Sequence, residues 1–77
     1  MRFSFVYGLK YRARVAMPLA LQRMVPPQSI AAELQRYQLF GTVTPHGLEY
    51  VVEAQFRGRS GTYDLPEQVQ SCEVIGQ

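Results

Sequence analysis

The chain has 77 residues, of which 47% are hydrophobic, and it carries a formal net charge of +2. This composition excludes an intrinsically disordered chain and predicts one small domain over residues 1–77. No apolar run approaches the roughly 18 residues of a membrane-spanning helix, and the single cysteine excludes an internal disulfide. We therefore expect a globular domain in a reducing, cytoplasmic compartment, with no membrane partner.

The charge is unevenly distributed along the chain. Residues 1–38 contain six basic side chains and one acidic side chain, which gives a net charge of +5. Residues 39–77 contain two basic and five acidic side chains, which gives −3. Either the two halves neutralise each other within the fold, or the basic half faces an acidic partner.

The first predicted element is a long strand from about Phe3 to Val15. Apolar residues, many of them aromatic, occupy its odd-numbered positions, and this period of two is typical of a strand with one buried face. The odd-numbered face should therefore lie on the core, while the even-numbered face becomes basic after Gly8. Because Gly8 lies midway, we predict a bend or bulge there that lets the two halves serve different sheet edges.

Residues 17–38 are predicted to form a helical insertion between the first two strands. Pro18 can begin a short helix, which must end at residues 25–27 because a residue before proline disfavours helical geometry. A second helix is predicted over residues 28–37, with Ser29 as its cap. It has one apolar stripe and is too short to persist alone, so we expect it to pack on the sheet. The stripe consists of Ile30, Leu34 and Tyr37.

The second half of the chain, from Leu39 to Ile75, is predicted to be an antiparallel run of strands. A strand at 40–44 and a long alternating strand at 48–57 should form a hairpin, because Pro45-His46-Gly47 favours a tight turn. The core face of the long strand is predicted to contain Leu48, Tyr50, Val52, Ala54 and Phe56. The remaining predicted elements are a Gly-rich turn at 58–61, a short strand at 62–65, a helical turn at 66–69 and a strand at 72–75.

This order of elements resembles the end of SH3-like small β-barrels. The residues that carry the resemblance are Gly41-Thr42-Val43, the long strand, the Gly-rich turn and the short elements that follow. The resemblance covers residues 39–77 and implies a mainly β fold, a small barrel with a helical insertion at about 17–38. It also implies a module that binds protein or nucleic acid. The alternative is a ferredoxin-like βαββαβ sandwich, which needs a two-turn helix at 65–70, where Pro66 leaves little room.

The sequence contains no constellation of residues typical of catalysis. His46 lies in a predicted turn with no carboxylate to orient it, and Cys72 alternates with Val74 in a strand, as a packed thiol does. One histidine and one cysteine do not supply the usual spacing of a metal site. We therefore predict no enzymatic activity, no cofactor and no metal.

A row of basic residues is the one candidate binding surface. Lys10, Arg12 and Arg14 recur at every second position, so they project from one strand face about 7 Å apart. That spacing is close to the separation of successive phosphates along a nucleic-acid strand. Arg57 and Arg59 extend this patch if the sheet brings them near.

Two functions are compatible with this pattern. We predict a non-enzymatic module for protein–protein interaction or assembly, with a protein partner or a homo-oligomer as its complex. The alternative is a nucleic-acid-binding barrel that uses the basic row. Against any binding role, the row can also be a solvated outer face that is paired with Glu49 and Glu53 across the strands.

Overall fold

The computed structural model describes all residues from 1 to 77. They form six strands and two helices, with 51% of the residues in strands and 17% in helices, so the predicted mainly β fold class is confirmed. The elements are β1 (Arg2–Phe5), β2 (Lys10–Ala16), α1 (Leu19–Gln22), α2 (Pro27–Gln35), β3 (Leu39–His46), β4 (Glu49–Phe56), β5 (Gly61–Asp64) and β6 (Val69–Gly76).

The strands form two antiparallel sheets. The larger sheet has the order β3-β4-β2-β6, and β1 pairs with β5 in a separate ribbon. The helical segment therefore crosses from β2 to β3 with β4 between them, which is the split βαβ unit of ferredoxin-like sheets. The second helix of that fold is absent, because β5 and a turn occupy the connection from β4 to β6. The resemblance to SH3-like small β-barrels, and the barrel that it implies, stay predictions.

Gly8 bends the first strand as predicted. Its φ angle is +88°, a conformation that glycine adopts without strain, and its N–H donates to the carbonyl of Phe56 at 2.8 Å. The bend divides the predicted strand into β1, which pairs with β5, and β2, which pairs with β4 and β6. Tyr7 is 67% exposed, because it lies in the bend rather than on the predicted core face.

The hairpin from β3 to β4 forms as predicted, but its turn lies later in the chain. Pro45 and His46 belong to β3, and the turn is made at Gly47, whose φ is +63°, and Leu48. Leu48 is 66% exposed for this reason, whereas it was predicted to face the core. The other core-facing residues of β4 are buried as predicted: Tyr50, Val52, Ala54 and Phe56.

The helical insertion is confirmed, with different boundaries. α1 is a single turn after Pro18, and α2 begins at Pro27, so Pro26 takes the cap position that was predicted for Ser29. Proline suits the first helical position because no intrahelical bond needs its missing N–H. The predicted stripe of α2 packs against the core. Neither helix has the length and apolar character that crossing a lipid bilayer requires.

The predicted turn at 66–69 forms, as one hydrogen-bonded turn rather than a helix. Val69 donates its N–H to the carbonyl of Pro66 at 3.0 Å, which closes a turn, and β6 begins directly at Val69. The strand thus starts three residues before the predicted position, because the backbone of residue 69 pairs with Val15 in β2.

An aromatic cluster joins the β1–β5 ribbon to the larger sheet. The ring of Phe5 stacks on Phe56 with centroids 5.0 Å apart, and it meets the edge of Tyr11 at 4.8 Å. Such pairs contribute about 0.5–1.5 kcal/mol each beyond the area they bury. The cluster therefore fixes the ribbon against β2 and β4.

Candidate functional site

The predicted basic row lies on the outer face of the larger sheet, where acidic residues flank it. Arg12 lies opposite Glu53 on β4 and Glu73 on β6, with N–O distances of 2.8 Å and 3.5 Å. The hydrogen bond and the charge of Glu53 raise the pKa of Arg12. Arg14 forms an ion pair with Glu49 at 2.6 Å. The cross-strand pairing that we weighed against a binding role is therefore present for these two arginines.

The other three predicted cations form no ion pair within the chain. Lys10 lies opposite Gln55, which places it at the same end of the outer face as Arg57. The guanidinium of Arg57 lies over the ring of Phe40, 5.1 Å from its centroid. Arg59 lies beyond the sheet in the turn before β5, so of the two additional arginines only Arg57 is placed to extend the basic row from the Lys10 end.

The opposite face of the larger sheet, which carries the helices, is only partly covered. α2 packs along the edge strand β3, and an open groove remains between α2, β2, β6 and the turn at 66–69. We call this space the open groove. Its volume is about 330 Å³, and 17 of the 20 residues that line it are hydrophobic.

The open groove exists because short side chains form its floor and because no second helix fills it. Ala13 on β2 and Cys72 on β6 lie side by side in the floor, and Ala54 on β4 adjoins them. The stripe of α2, including Ile30 and Leu34, forms one wall. In a complete βαββαβ fold, a helix between the last two strands of the sheet would cover this space.

Polar groups are rare in the lining of the open groove. Glu33 is its one charged residue, and Gln68 contributes an amide. Burial, followed by the negative charge of Glu73, raises the pKa of the Cys72 thiol to about 11. The thiol is therefore protonated near neutral pH, which makes it a poor nucleophile and an apolar part of the floor.

Exposed apolar residues lie in and around α1, beside the open groove. Residues Leu19, Leu21, Met24 and Leu48 are 62%, 46%, 77% and 66% exposed, and we call these four residues the α1 knob. Gln22 fixes α1 to the hairpin turn, because its Nε2 donates to the carbonyls of Met17 at 2.9 Å and Gly47 at 2.7 Å. Leu21 also lines the groove, so the two apolar surfaces are continuous.

The structure contains no group of three side chains that could hold a metal ion, and His46 lies exposed at the end of β3. Every buried side-chain nitrogen or oxygen has a hydrogen-bond partner. The open groove and the α1 knob were not predicted from the sequence. The small residues at core-facing positions of alternating strands, Ala13 and Ala54, were the available signal.

Comparisons with known proteins were made at three levels. A scan against protein-family models, a search of curated proteins and a search of solved structures each found no match to this chain.

Proposed function

We propose that this chain is a non-enzymatic binding module that accepts an apolar segment of a protein in the open groove. The observation that carries the proposal is an apolar groove of about 330 Å³ on the half of the sheet that lacks a helix. This volume lies within the range of about 300–1,000 Å³ typical of ligand sites. A cavity of about 150 Å³ accommodates one benzene-sized group, so the groove has room for roughly two such side chains.

The lining favours a protein segment over a small polar metabolite. A metabolite site needs several convergent polar groups to orient its ligand, whereas the polar side-chain groups of this groove are limited to Glu33, Gln68 and the hydroxyls of Tyr11 and Tyr37, and the Tyr11 hydroxyl is already bonded to the N–H of Val6. A helix that inserts its apolar stripe requires few polar contacts, because its backbone groups are bonded internally. The proposal includes a reducing, cytoplasmic compartment, in which Cys72 remains a thiol.

Nucleic-acid binding by the outer face is the second candidate. It is favoured by Lys10 and Arg57, which share one end of that face without acidic partners. It has less support than the groove, because Arg12 and Arg14 already bind glutamates. If it is correct, affinity for a 20-nucleotide single strand falls steeply with salt, and Lys10→Glu lowers it about tenfold or more. Affinity that is absent or independent of salt contradicts this candidate.

Selection from a displayed library of amphipathic helices tests the main proposal. We expect selected helices to bind the wild-type chain and to lose affinity at least tenfold for Ala13→Phe, whose ring occupies the groove floor. Thr42→Phe is the matched control, because Thr42 is exposed on the opposite face of the sheet and should leave binding unchanged. Binders that are equally sensitive to both substitutions, or no binders at all, would contradict the proposal.

A further inference from the structure

We infer that the occupant of the open groove is a second copy of this chain, whose α1 knob inserts into it. The inference rests on the proposed function and names the partner. It is carried by three features of one surface: an unfilled apolar groove, exposed apolar residues beside it, and one charged residue of opposite sign at each, of which Arg23 has no ion pair within the chain. Insertion of the knob would remove the apolar surfaces of both the knob and the groove from water, which is favourable.

The α1 knob has little support from its own chain. α1 is a four-residue helix with no buried residue and no side-chain cap, and Met24, just after it, is the most exposed large apolar residue of the structure. Four exposed Leu and Met residues on one short segment and the hairpin turn that it is bonded to are more typical of an interaction site than of scattered exposed residues. The contacts of Gln22 with Met17 and Gly47 nevertheless hold this cluster in one position, so it is presented as a formed surface.

The charges of the knob and the groove are complementary. Arg23 is the one charged residue between Met17 and Val25, it is exposed, and it forms no ion pair within the chain. Glu33 is the one charged residue that lines the groove. Within one chain Glu33 meets only Arg36, at 3.3 Å on an exposed helix surface. A knob in the groove of its partner would place Arg23 beside Glu33 of the other copy.

The arrangement of these surfaces suits a closed dimer. Because Leu21 belongs to both the knob and the groove lining, a two-fold axis near Leu21 places each knob in the groove of the other copy. Such an interface is closed and does not extend into a fibre. A standard interface buries about 800 Å² per partner, which is roughly a sixth of the 5124 Å² surface of the chain.

Sedimentation equilibrium of the full chain between about 1 and 200 µM tests the inference. We expect the wild type to reach twice 8.8 kDa, or 17.6 kDa, and Met24→Glu to weaken association at least tenfold. Tyr7→Glu is the matched control, since Tyr7 is an exposed apolar residue outside the knob and should leave the dimer intact. Far-ultraviolet circular dichroism of each variant verifies that it is folded.

Exchanging the charges of Arg23 and Glu33 tests whether the knob of one copy lies in the groove of the other. Arg23→Glu and Glu33→Arg should each weaken the dimer by about two- to fivefold, the usual range for an exposed ion pair. The double variant should recover the wild-type affinity. A strictly monomeric wild type overturns the inference, and so does a dimer that Met24→Glu does not weaken. Helix selection performed on the Met24→Glu variant tests the groove by itself, so failure of the dimer and failure of the proposed function are distinguishable.

Discussion

Filling the open groove should stabilise this protein, whereas filling a packed core would destabilise it. The substitution Ala13→Leu extends a side chain from the floor of the groove into about 330 Å³ of unfilled space. Leucine adds three carbon atoms to alanine, and burial contributes about 0.8 kcal/mol for each such group when it is complete. Because one side of the groove is open, we take less than half of that total and expect about 1 kcal/mol of added stability.

The assay is urea unfolding followed by circular dichroism, in the Met24→Glu background so that association does not contribute to the free energy. Ala32→Leu on α2 is the control, because residue 32 is exposed and the added carbons stay in water. Its effect should lie within about 0.5 kcal/mol of zero. Overpacking of a filled core costs about 1–3 kcal/mol, so a loss of stability in that range for Ala13→Leu would show that the groove is closed in solution.

Three further predictions concern the backbone and the thiol. Gly41→Ala should lower stability by about 1–3 kcal/mol, because the new Cβ would clash with the carbonyl oxygen of Glu53. Gly76→Ala is the control: it has open space around it, so it should leave the midpoint of thermal unfolding nearly unchanged. Gln38 has a φ of +62° after α2, so Gln38→Gly should raise the midpoint of urea unfolding by relieving about 1 kcal/mol of strain; an unchanged midpoint would mean that the conformation is not strained. Because burial raises the pKa of Cys72 to about 11, the folded chain keeps a proton that the unfolded chain releases near pH 9, and stability should therefore fall as the pH rises from about 9 to 11. The Cys72→Ser variant should lack this loss of stability between pH 9 and 11. Iodoacetamide should modify Cys72 of the folded chain far more slowly at pH 8 than it modifies the unfolded chain, and equal rates would contradict the raised pKa.

The faces of the strands could be predicted from the sequence, because alternation is a local property. Side chains in β2 and β4 point to the faces that the period of two indicates, and the ion pairs of Arg12 and Arg14 follow from that parity. The errors occur where the backbone leaves the regular pleat. Tyr7 lies in the bend at Gly8, and Leu48 lies in the hairpin turn, so neither obeys the parity of its neighbours.

The order of the strands and the open groove could not be predicted in the same way. Periodicity shows which residues share a face, but it carries no information on which strand lies beside another. The register of Arg12 between Glu53 and Glu73 depends on β2 lying between β4 and β6, and the residues from 57 to 68 do not reveal that order. The groove is harder still to predict from the sequence. It exists because the connection from β4 to β6 contains no helix to cover that part of the sheet.

The edges and the outer face of the larger sheet are less suited to a protein partner than the open groove is. An added strand would need a regular free edge, but β6 has register shifts beside Lys10/Tyr11 and Arg14/Val15, and the opposite edge strand contains Pro45. Bulges and proline at edges are common protections against strand addition. On the outer face, opposite charges already meet across the strands. A partner gains most by covering apolar area that the fold leaves open, and in this chain that area is concentrated at the open groove and the α1 knob.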